Sequence, residues 1–451
     1  MWLLPAFSAV SSAAGRIFYR LSIDGPPLSA EGPALIVANH PNSLLDPVLV
    51  AGAAGRRVRF LAKAPLFSDK LIGWLVRGSG SIPVYRRVDD PTLTSRNQDM
   101  FRAAYDALER GSAIGIFPEG ITHGAPELAP LKTGAARIAL GTARQSGQTF
   151  PIVPFGLVFR HRDRFRSDAL VVRGMPIEWD DLSGRDVEDR EAVAELTDRI
   201  DRGLRRVTLN LERWEDRPLV EWTEAIWVSE YGGPDSPSDQ VSRLALVSDV
   251  LRSVRRGSDR DAPAESEEEW RDLAQRITSF GTRVSRLGLR PSDLTADTRF
   301  RTAIQWAMRR VYMLGIPLLI TAVVGFVLFW IPRRVTGAAL AASGADDDRR
   351  ATYRLLIGIG AYGVWIVIVG VLTAQIWSWP VGAVMTVALP LFGIGSLWIR
   401  ERWRGAWADS RRFLFLRNRR RLVEHLLERR AQLAADMRSF YDRRTARSDI
   451  V

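Results

Sequence analysis

Residues 34–46 read ALIVANHPNSLLD, a short apolar run followed by a polar loop. The apolar part is too short for a helix and is typical of a strand buried on both faces. Runs of this kind recur along the chain with helical patterns between them, such as 95–110 and 133–146. The predicted strands are residues 34–40, 59–63, 81–86, 112–120, 150–160 and 169–174. Alternating strands and helices predict an α/β domain with a mixed, largely parallel sheet and flanking helices.

The composition narrows the kinds of partner and chemistry. The chain has 451 residues, of which 46% are hydrophobic, so it can bury a large core. It has no cysteine, which excludes disulfides, thiolate metal sites and a cysteine nucleophile. The net charge of +12 favours anionic partners such as acidic lipid headgroups, phosphorylated small molecules or CoA. Neither a metal site nor nucleic-acid binding is predicted, because metal-ligand spacing and aromatic stacking platforms are missing from the sequence.

Three long apolar runs predict an integral membrane protein. They cover residues 312–331, 355–376 and 381–399, and none contains a charged side chain. Each approaches the ~20 residues that a spanning helix needs. Tryptophans stand at their ends and arginines flank them, as is typical of membrane interfaces. The prediction is a membrane region with two to three spans.

The chain divides into five predicted segments. They are an interfacial N-terminal helix (1–30), the α/β domain (31–221), a charged helical connector (222–310), the transmembrane region (311–400) and a basic amphipathic tail (401–451). The tail has leucines at helical spacing among many arginines. Such a helix could lie on anionic lipid or pack against the α/β domain, and its sequence fits both.

His40 and Asp46 are candidates for acid–base chemistry. His40 is one of four histidines and ends the first predicted strand, while Asp46 lies in the loop that follows. Active sites in α/β domains gather at the carboxyl ends of strands. A histidine oriented by a carboxylate can remove a proton from a hydroxyl group. The structural alternative is a loop histidine beside an aspartate that caps the next helix.

Three further groups are candidates for binding a polar, anionic ligand. Glu119 and Gly120 follow another predicted strand, and the glycine permits close approach of a ligand to the backbone. Arg86 and Arg87 follow a third, and the fork of a guanidinium group suits phosphate. Lys132 precedes a predicted helix whose N-terminus would attract an anion. The alternative for each group is a turn with solvent-exposed charge.

Four short blocks of this sequence resemble, in order and spacing, those of the glycerolphosphate acyltransferase, or PlsC-like, family. The blocks are NHPNSLLD (39–46), GSIPVYR (80–86), FPEG (117–120) and IVPFG (152–156). The resemblance covers about residues 30–215. Five residues rather than the family's usual four separate His40 from Asp46, and Ile121-Thr122-His123 replaces the usual Thr-Arg after Gly120. Both departures are similar to the glycerol-3-phosphate and dihydroxyacetone-phosphate acyltransferases, which carry NHPNxxxDP.

The resemblance implies an O-acyltransferase of phospholipid biosynthesis that acts at a membrane. Its acyl donor would be acyl-CoA or acyl carrier protein, its acceptor glycerol 3-phosphate or dihydroxyacetone phosphate, and it would need no cofactor. The implied site consists of a His40–Asp46 catalytic dyad, Gly80 and Arg86 at the phosphate, Glu119 and Gly120 at the acceptor, and Pro154 at the acyl chain. Arg87 and Lys132 would assist Arg86, because the arginine of the third block is missing.

Two other functions fit the same resemblance. One is acylation of 1-acylglycerol 3-phosphate (lysophosphatidate) or of another lysophospholipid. The other is a membrane lipid-binding scaffold with an inactive acyltransferase fold, against which the intact dyad speaks.

The resemblance also implies a location. A domain that uses acyl-CoA or acyl carrier protein would face the cytoplasm from the inner, or cytoplasmic, membrane. The basic residues after the third run place the tail on that side too. Three spans cannot put both ends on one side, so the number of spans stays open.

Overall fold

The computed structural model describes residues 13–69, 72–86, 95–211, 213–232, 264–295, 323–344 and 350–448, with single positions between 241 and 248. The strands are β1 (Arg20–Asp24), β2 (Ala34–Ala38), β3 (Val58–Lys63), β4 (Ile82–Val84), β5 (Ala113–Ile116), β6 (Ile152–Phe159) and β7 (Asp168–Arg173). The helices are α1 (Leu45–Ala54), α2 (Pro65–Ser68), α3 (Gly73–Gly78), α4 (Asn97–Glu109), α5 (Gly134–Ser146), α6 (Arg190–Val207), α7 (Arg217–Tyr231), α8 (Ala264–Arg286), α9 (Trp330–Ala342), α10 (Arg350–Ile376), α11 (Trp379–Asn418) and α12 (Arg420–Ser448).

The described residues fall into two compact units. Those up to Trp214 belong to the first unit, and most of those from Glu215 onward belong to the second. The continuous part of the first unit ends at Trp214, a few residues before the predicted boundary at 221. Its sheet has the order β1-β7-β6-β2-β5-β3-β4. Strands β6, β2, β5, β3 and β4 run parallel to one another. β7 runs antiparallel to β6, and β1 is parallel to β7. The predicted mixed, largely parallel sheet is confirmed.

Strand β2 lies inside this sheet between β5 and β6, and all five of its residues are buried. Alternate residues of a strand face opposite sides of the sheet. Leu35 and Val37 face a core formed with α4, α5 and α6. Cover on both faces explains why this strand is apolar throughout rather than alternating. The buried strand fixes the position at which His40 leaves the sheet.

Strand β4 forms one edge of the sheet. It is only three residues long, and its central residue is Pro83. Proline has no backbone N–H to donate to a neighbouring strand, and an edge strand tolerates this loss readily.

The N-terminal part differs from the predicted interfacial helix at 1–30. Residues 13–18 are helical, and β1 then pairs with β7 in the sheet. Phe18 and Tyr19 are fully buried, and the ring of Phe18 contacts Phe165 at 5.6 Å between centroids. This stretch therefore packs into the α/β domain because its aromatic side chains find partners there. Residues 1–12 lie outside the described part of the chain.

Helices α7, α8 and α12 pack together in the second unit. Arg430 of α12, only 2% exposed, donates to Glu230 of α7 at 2.6 Å. Arg276 of α8 donates to Asp436 of α12 at 2.7 Å. The apolar stripe of α12 is buried and comprises Leu426, Leu433, Met437 and Phe440. Part of the predicted tail thus packs against α7 and α8 of the predicted connector, and its placement on anionic lipid stays a prediction.

Among the described residues, two helices are long and apolar enough to cross a membrane. They are Tyr353–Ile376, within α10, and Trp379–Trp403, within α11. Apolar side chains along both helices are exposed, as would be unusual for the core of a soluble unit. The helices approach closely through small residues, since a Cβ at Gly382 would lie 2.5 Å from Cβ of Ala374.

The first predicted apolar run is only partly described. Residues 312–322 lie outside the described residues. Residues 323–328 are helical, and α9 then begins at Trp330 and carries Arg333 and Arg334. The described chain therefore contains two of the three predicted spans as candidates.

Gly156 of β6 offers a test of the packing that holds the sheet against α6. A Cβ at this position would lie 1.7 Å from the carbonyl oxygen of Val207, which is main chain and cannot turn aside. We expect Gly156→Ala to lower the free energy of unfolding by about 2–3 kcal/mol, because such overpacking displaces backbone. Denaturant unfolding of the detergent-solubilised protein measures this change.

Gly184→Ala is the matched control, because no atom lies within 4 Å of a Cβ there. It should change the free energy of unfolding by less than about 0.5 kcal/mol. Equal stability of the two variants would contradict the packing described for Gly156.

Candidate active site

Three sequence blocks meet at the end of the sheet where the parallel strands finish. β2, β4 and β5 run parallel, so their carboxyl ends lie together there. His40 follows β2, Arg86 follows β4, and Glu119 follows β5. The topology therefore gathers residues that are up to 79 positions apart in the chain.

His40 and Asp46 are in direct contact. Asp46 lies in the first turn of α1 and is fully buried, and its Oδ2 atom is 2.9 Å from Nδ1 of His40. The same oxygen accepts the main-chain N–H of Asn42 at 2.6 Å. Between them, Ser43 adopts a left-handed conformation with φ of 49°, which accommodates the longer loop of this sequence.

The contact fixes how the imidazole can act. A carboxylate at Nδ1 favours the tautomer with the proton on that nitrogen, which leaves Nε2 as the basic atom. No described residue bonds to Nε2 of His40. The ring stacks on Phe117 at 4.1 Å between centroids, so its orientation is fixed as well as its tautomer. The arrangement can therefore accept a proton from a ligand at Nε2.

Asp46 carries an electrostatic cost. Burial raises its pKa above the ordinary value, while the hydrogen bond and the charge of His40 act in the opposite direction. Its second oxygen, Oδ1, has no hydrogen-bond partner among the described residues. A buried oxygen without a donor destabilises the fold, which is a common price of a functional site.

Glu119 joins the loops that follow β2 and β5. It is 2% exposed. Its Oε1 accepts the main-chain N–H of His40 at 2.8 Å. Its Oε2 accepts the N–H of Ala129 at 2.8 Å and is also bonded to Nε2 of His123. Both oxygens thus have donors within the protein, so Glu119 supports the dyad through main chain. Its predicted contact with an acceptor stays a prediction.

A cationic cluster lies around Gly120. Arg86 donates from Nη1 to the carbonyl oxygen of Gly120 at 3.1 Å. Lys132 also packs against Gly120, with its Cγ 3.4 Å from where a Cβ of Gly120 would lie. Gly120 has a φ of 71°, which glycine adopts without strain. Helix α5 begins two residues after Lys132, so two cations and a helix N-terminus lie together and can bind an anion. Arg87 lies outside the described residues.

Two predicted site residues are placed elsewhere. Gly80 precedes β4 and so lies at the amino end of that strand, whereas His40 lies at the carboxyl end of β2. The carbonyl oxygen of Gly80 accepts a hydrogen bond from Nε of Arg59 at 2.9 Å. Pro154 lies inside β6, where its ring packs against Gly174 and Gly203. Neither residue contacts His40 or Asp46 in the described structure, and their roles in phosphate and acyl binding stay predictions.

The sequence did not indicate a network beside the dyad. Asn42 is fully buried and donates from Nδ2 to the hydroxyl oxygen of Tyr19 at 2.6 Å and to the carbonyl oxygen of Arg162 at 3.1 Å. The Tyr19 hydroxyl donates to that carbonyl as well. Asn39 forms a second link, because its side chain both donates to and accepts from the main chain of Leu157. The only signal was that both asparagines lie in the NHPN block.

Comparison with known proteins identifies the domain. The family described as Acyltransferase matches residues 20–158. This range contains β1 to β5, all but the last residue of β6, and the site residues His40, Asp46 and Glu119.

Three relatives show sequence similarity to this chain. Glycerol-3-phosphate O-acyltransferase 2 of Saccharomyces cerevisiae is 36% identical over 28% of this chain and 17% of its own length. Glycerol-3-phosphate O-acyltransferase 1 of the same yeast is 27% identical over 60% of this chain and 37% of its own. The chloroplastic 1-acyl-sn-glycerol-3-phosphate acyltransferase LPAT1 of Arabidopsis thaliana is 32% identical over 28% of this chain and 34% of its own.

The matched segment spans less than half the length of each of these relatives. The chain carries, within residues 20–158, an acyltransferase domain of the PlsC-like family.

Proposed function

We propose that the protein transfers a fatty acyl group from an acyl thioester to the hydroxyl group of glycerol 3-phosphate. The observation that carries this proposal is the contact of His40 with the buried Asp46, which leaves Nε2 basic. The cationic cluster of Arg86 and Lys132 beside the dyad suits the phosphate of the acceptor. The two yeast relatives, named glycerol-3-phosphate O-acyltransferases, support this acceptor.

The reaction follows from one proton transfer. Nε2 of His40 takes the proton of the acceptor hydroxyl as its oxygen attacks the thioester carbonyl. A C–O bond forms and the C–S bond breaks, and the departing thiolate takes the proton from the imidazolium. The carboxylate of Asp46 stabilises the imidazolium while it exists. The donor in this proposal is acyl-CoA or acyl carrier protein, and the acyl chain never becomes attached to the enzyme.

Acylation of 1-acylglycerol 3-phosphate is the second candidate. The plant relative named for that acceptor supports it. The acceptor still presents a hydroxyl to His40 and a phosphate to the cationic cluster. The two candidates therefore share a mechanism and differ in the room left for a second acyl chain.

The membrane location is also part of the proposal. Two crossings, by Tyr353–Ile376 and Trp379–Trp403, return the chain to the side from which it entered. The arginine-rich α12 would then lie on the same side as the residues before α10. This topology removes the conflict that three spans create.

Replacement of His40 tests the general base. We expect His40→Ala to reduce acyl transfer by about a thousandfold, within the range contributed by a positioned base. The measurement is transfer from labelled acyl-CoA by detergent-purified protein, with glycerol 3-phosphate and 1-acylglycerol 3-phosphate offered separately. The wild-type protein should prefer glycerol 3-phosphate.

His425→Ala is the matched control, since His425 is exposed on α12 and should leave the rate unchanged. A His40→Ala variant that is folded and retains wild-type activity would refute the mechanism. Product from 1-acylglycerol 3-phosphate alone would keep the mechanism and change the acceptor.

Replacement of Asp46 separates activity from stability. The folded-state pKa of Asp46 lies above its unfolded value of about 3.9, so the stability of the wild-type protein falls as the pH rises through that value. Asparagine has the same shape and is neutral. We expect Asp46→Asn to keep or raise the melting temperature at pH 7, while activity falls by about a hundredfold or more.

Thermal unfolding at pH 7 and near pH 4 provides the test. Protonation of Asp46 at the lower pH should narrow the difference in melting temperature between the wild-type protein and Asp46→Asn. A large loss of melting temperature at pH 7 would instead make Asp46 a structural residue.

Membrane insertion has a direct test. Because the two apolar helices expose their side chains along their length, we expect the protein to stay in the membrane pellet after an alkaline carbonate wash. Detergent should release it. A peripheral protein of the same membrane, released by carbonate, serves as the control, and release of this protein by carbonate alone would contradict insertion.

A further inference from the structure

Arg162 lies beside the dyad without having been part of any sequence block. It belongs to the loop between β6 and β7. Its guanidinium group lies directly on Gly124, where a Cβ would be 2.3 Å from Nη2. Its Nη1 atom is also 3.4 Å from the carbonyl oxygen of Pro41, the residue after His40. The guanidinium therefore lies between the loop after β5 and the loop that carries the general base.

The main chain of Arg162 is fixed by buried side chains. Its carbonyl oxygen accepts hydrogen bonds from Asn42 and from the hydroxyl of Tyr19, and both of these residues are fully buried. Surface loops are ordinarily more mobile than the sheets that they connect. Two buried donors bond to this one loop carbonyl, so the main chain of Arg162 is held in place more firmly than a surface loop ordinarily is.

The guanidinium of Arg162 retains unused binding capacity. No carboxylate lies within ion-pair distance of it in the part of the chain that the structure describes. Arg160, on the same loop, contrasts with it, because that side chain approaches Asp168 at 3.6 Å. A guanidinium has five N–H donors, and the long bond to Pro41 uses one. The others can bind an anion as a fork.

We propose that Arg162 binds a phosphate group of a substrate at this site. It supplies a cation close to the third block, whose usual arginine is replaced by Ile121-Thr122-His123. Together with Arg86 it places cations at both ends of the loop from Gly120 to Gly124. The assignment rests on the proposed acyl transfer for its ligands. The phosphate belongs either to the acceptor or to CoA, which share this chemistry.

Direct binding is the test, and it does not depend on turnover. Calorimetry on the detergent-solubilised full-length protein measures the affinity for glycerol 3-phosphate and, separately, for CoA. We expect Arg162→Ala to weaken one of these affinities by roughly tenfold or more, as is typical of a lost hydrogen bond to a charged group. Arg164→Ala, an exposed arginine on the same loop with the same change in charge, should change neither by more than about twofold.

Gly124→Ala moves the guanidinium without removing its charge. The Cβ would meet only the far end of the Arg162 side chain, which can swing away, so the protein should fold normally. We expect the same affinity to weaken as in Arg162→Ala.

The outcomes distinguish the ligand and the proposal. Weaker binding of glycerol 3-phosphate assigns the acceptor phosphate to Arg162, and weaker binding of CoA assigns a donor phosphate. Unchanged affinities in Arg162→Ala, an equal loss in Arg164→Ala, or a wild-type protein that binds neither ligand would overturn the assignment. Binding that depends on Arg162 in a protein without acyl transfer would reject the proposed reaction alone.

Discussion

Two parallel strands that end side by side leave the loops after them free to separate, and the carboxylate of Glu119 prevents this. A buried carboxylate is stable only when donors surround it. Here the donors come from the N–H of His40 after β2 and from the N–H of Ala129 and the ring of His123 after β5. The place of His40 is thereby set through its backbone. Its ring stays available to Asp46 on one nitrogen and to a ligand on the other.

The two carboxylates near His40 divide the work by what they contact. Asp46 orients the imidazole, and Glu119 holds the peptide unit that carries it. The loop that begins at Glu119 also contains two glycines, each of which contacts an arginine side chain. Arg86 approaches Gly120 and Arg162 approaches Gly124, and the second approach has no space for a side chain. Base and cations are thus built on one framework, so a shift in that loop would disturb both.

The sequence predicted what is local and missed what is long-range. Short apolar runs predicted β2 to β7, and a separation of six residues along one loop made contact between His40 and Asp46 plausible. The network of Tyr19, Asn42 and Arg162 joins segments up to 143 residues apart through side-chain and main-chain bonds, which leave no periodic signal. The leucines at helical spacing indicated an amphipathic tail, but such a helix fits lipid or protein equally well. The bonds of α12 to α7 and α8 join distant parts of the chain and could not be predicted from the tail alone.

The proline in β4 has a consequence beyond the fold of one molecule. An edge strand with free N–H groups can recruit a strand from another chain, which leads to aggregation. β4 offers only three residues to such an intruder, and Pro83 withholds a donor at the centre. At the membrane that we propose for this protein, copies of the chain would meet at high local concentration. The short, proline-bearing edge strand β4 would disfavour intermolecular strand pairing in those encounters.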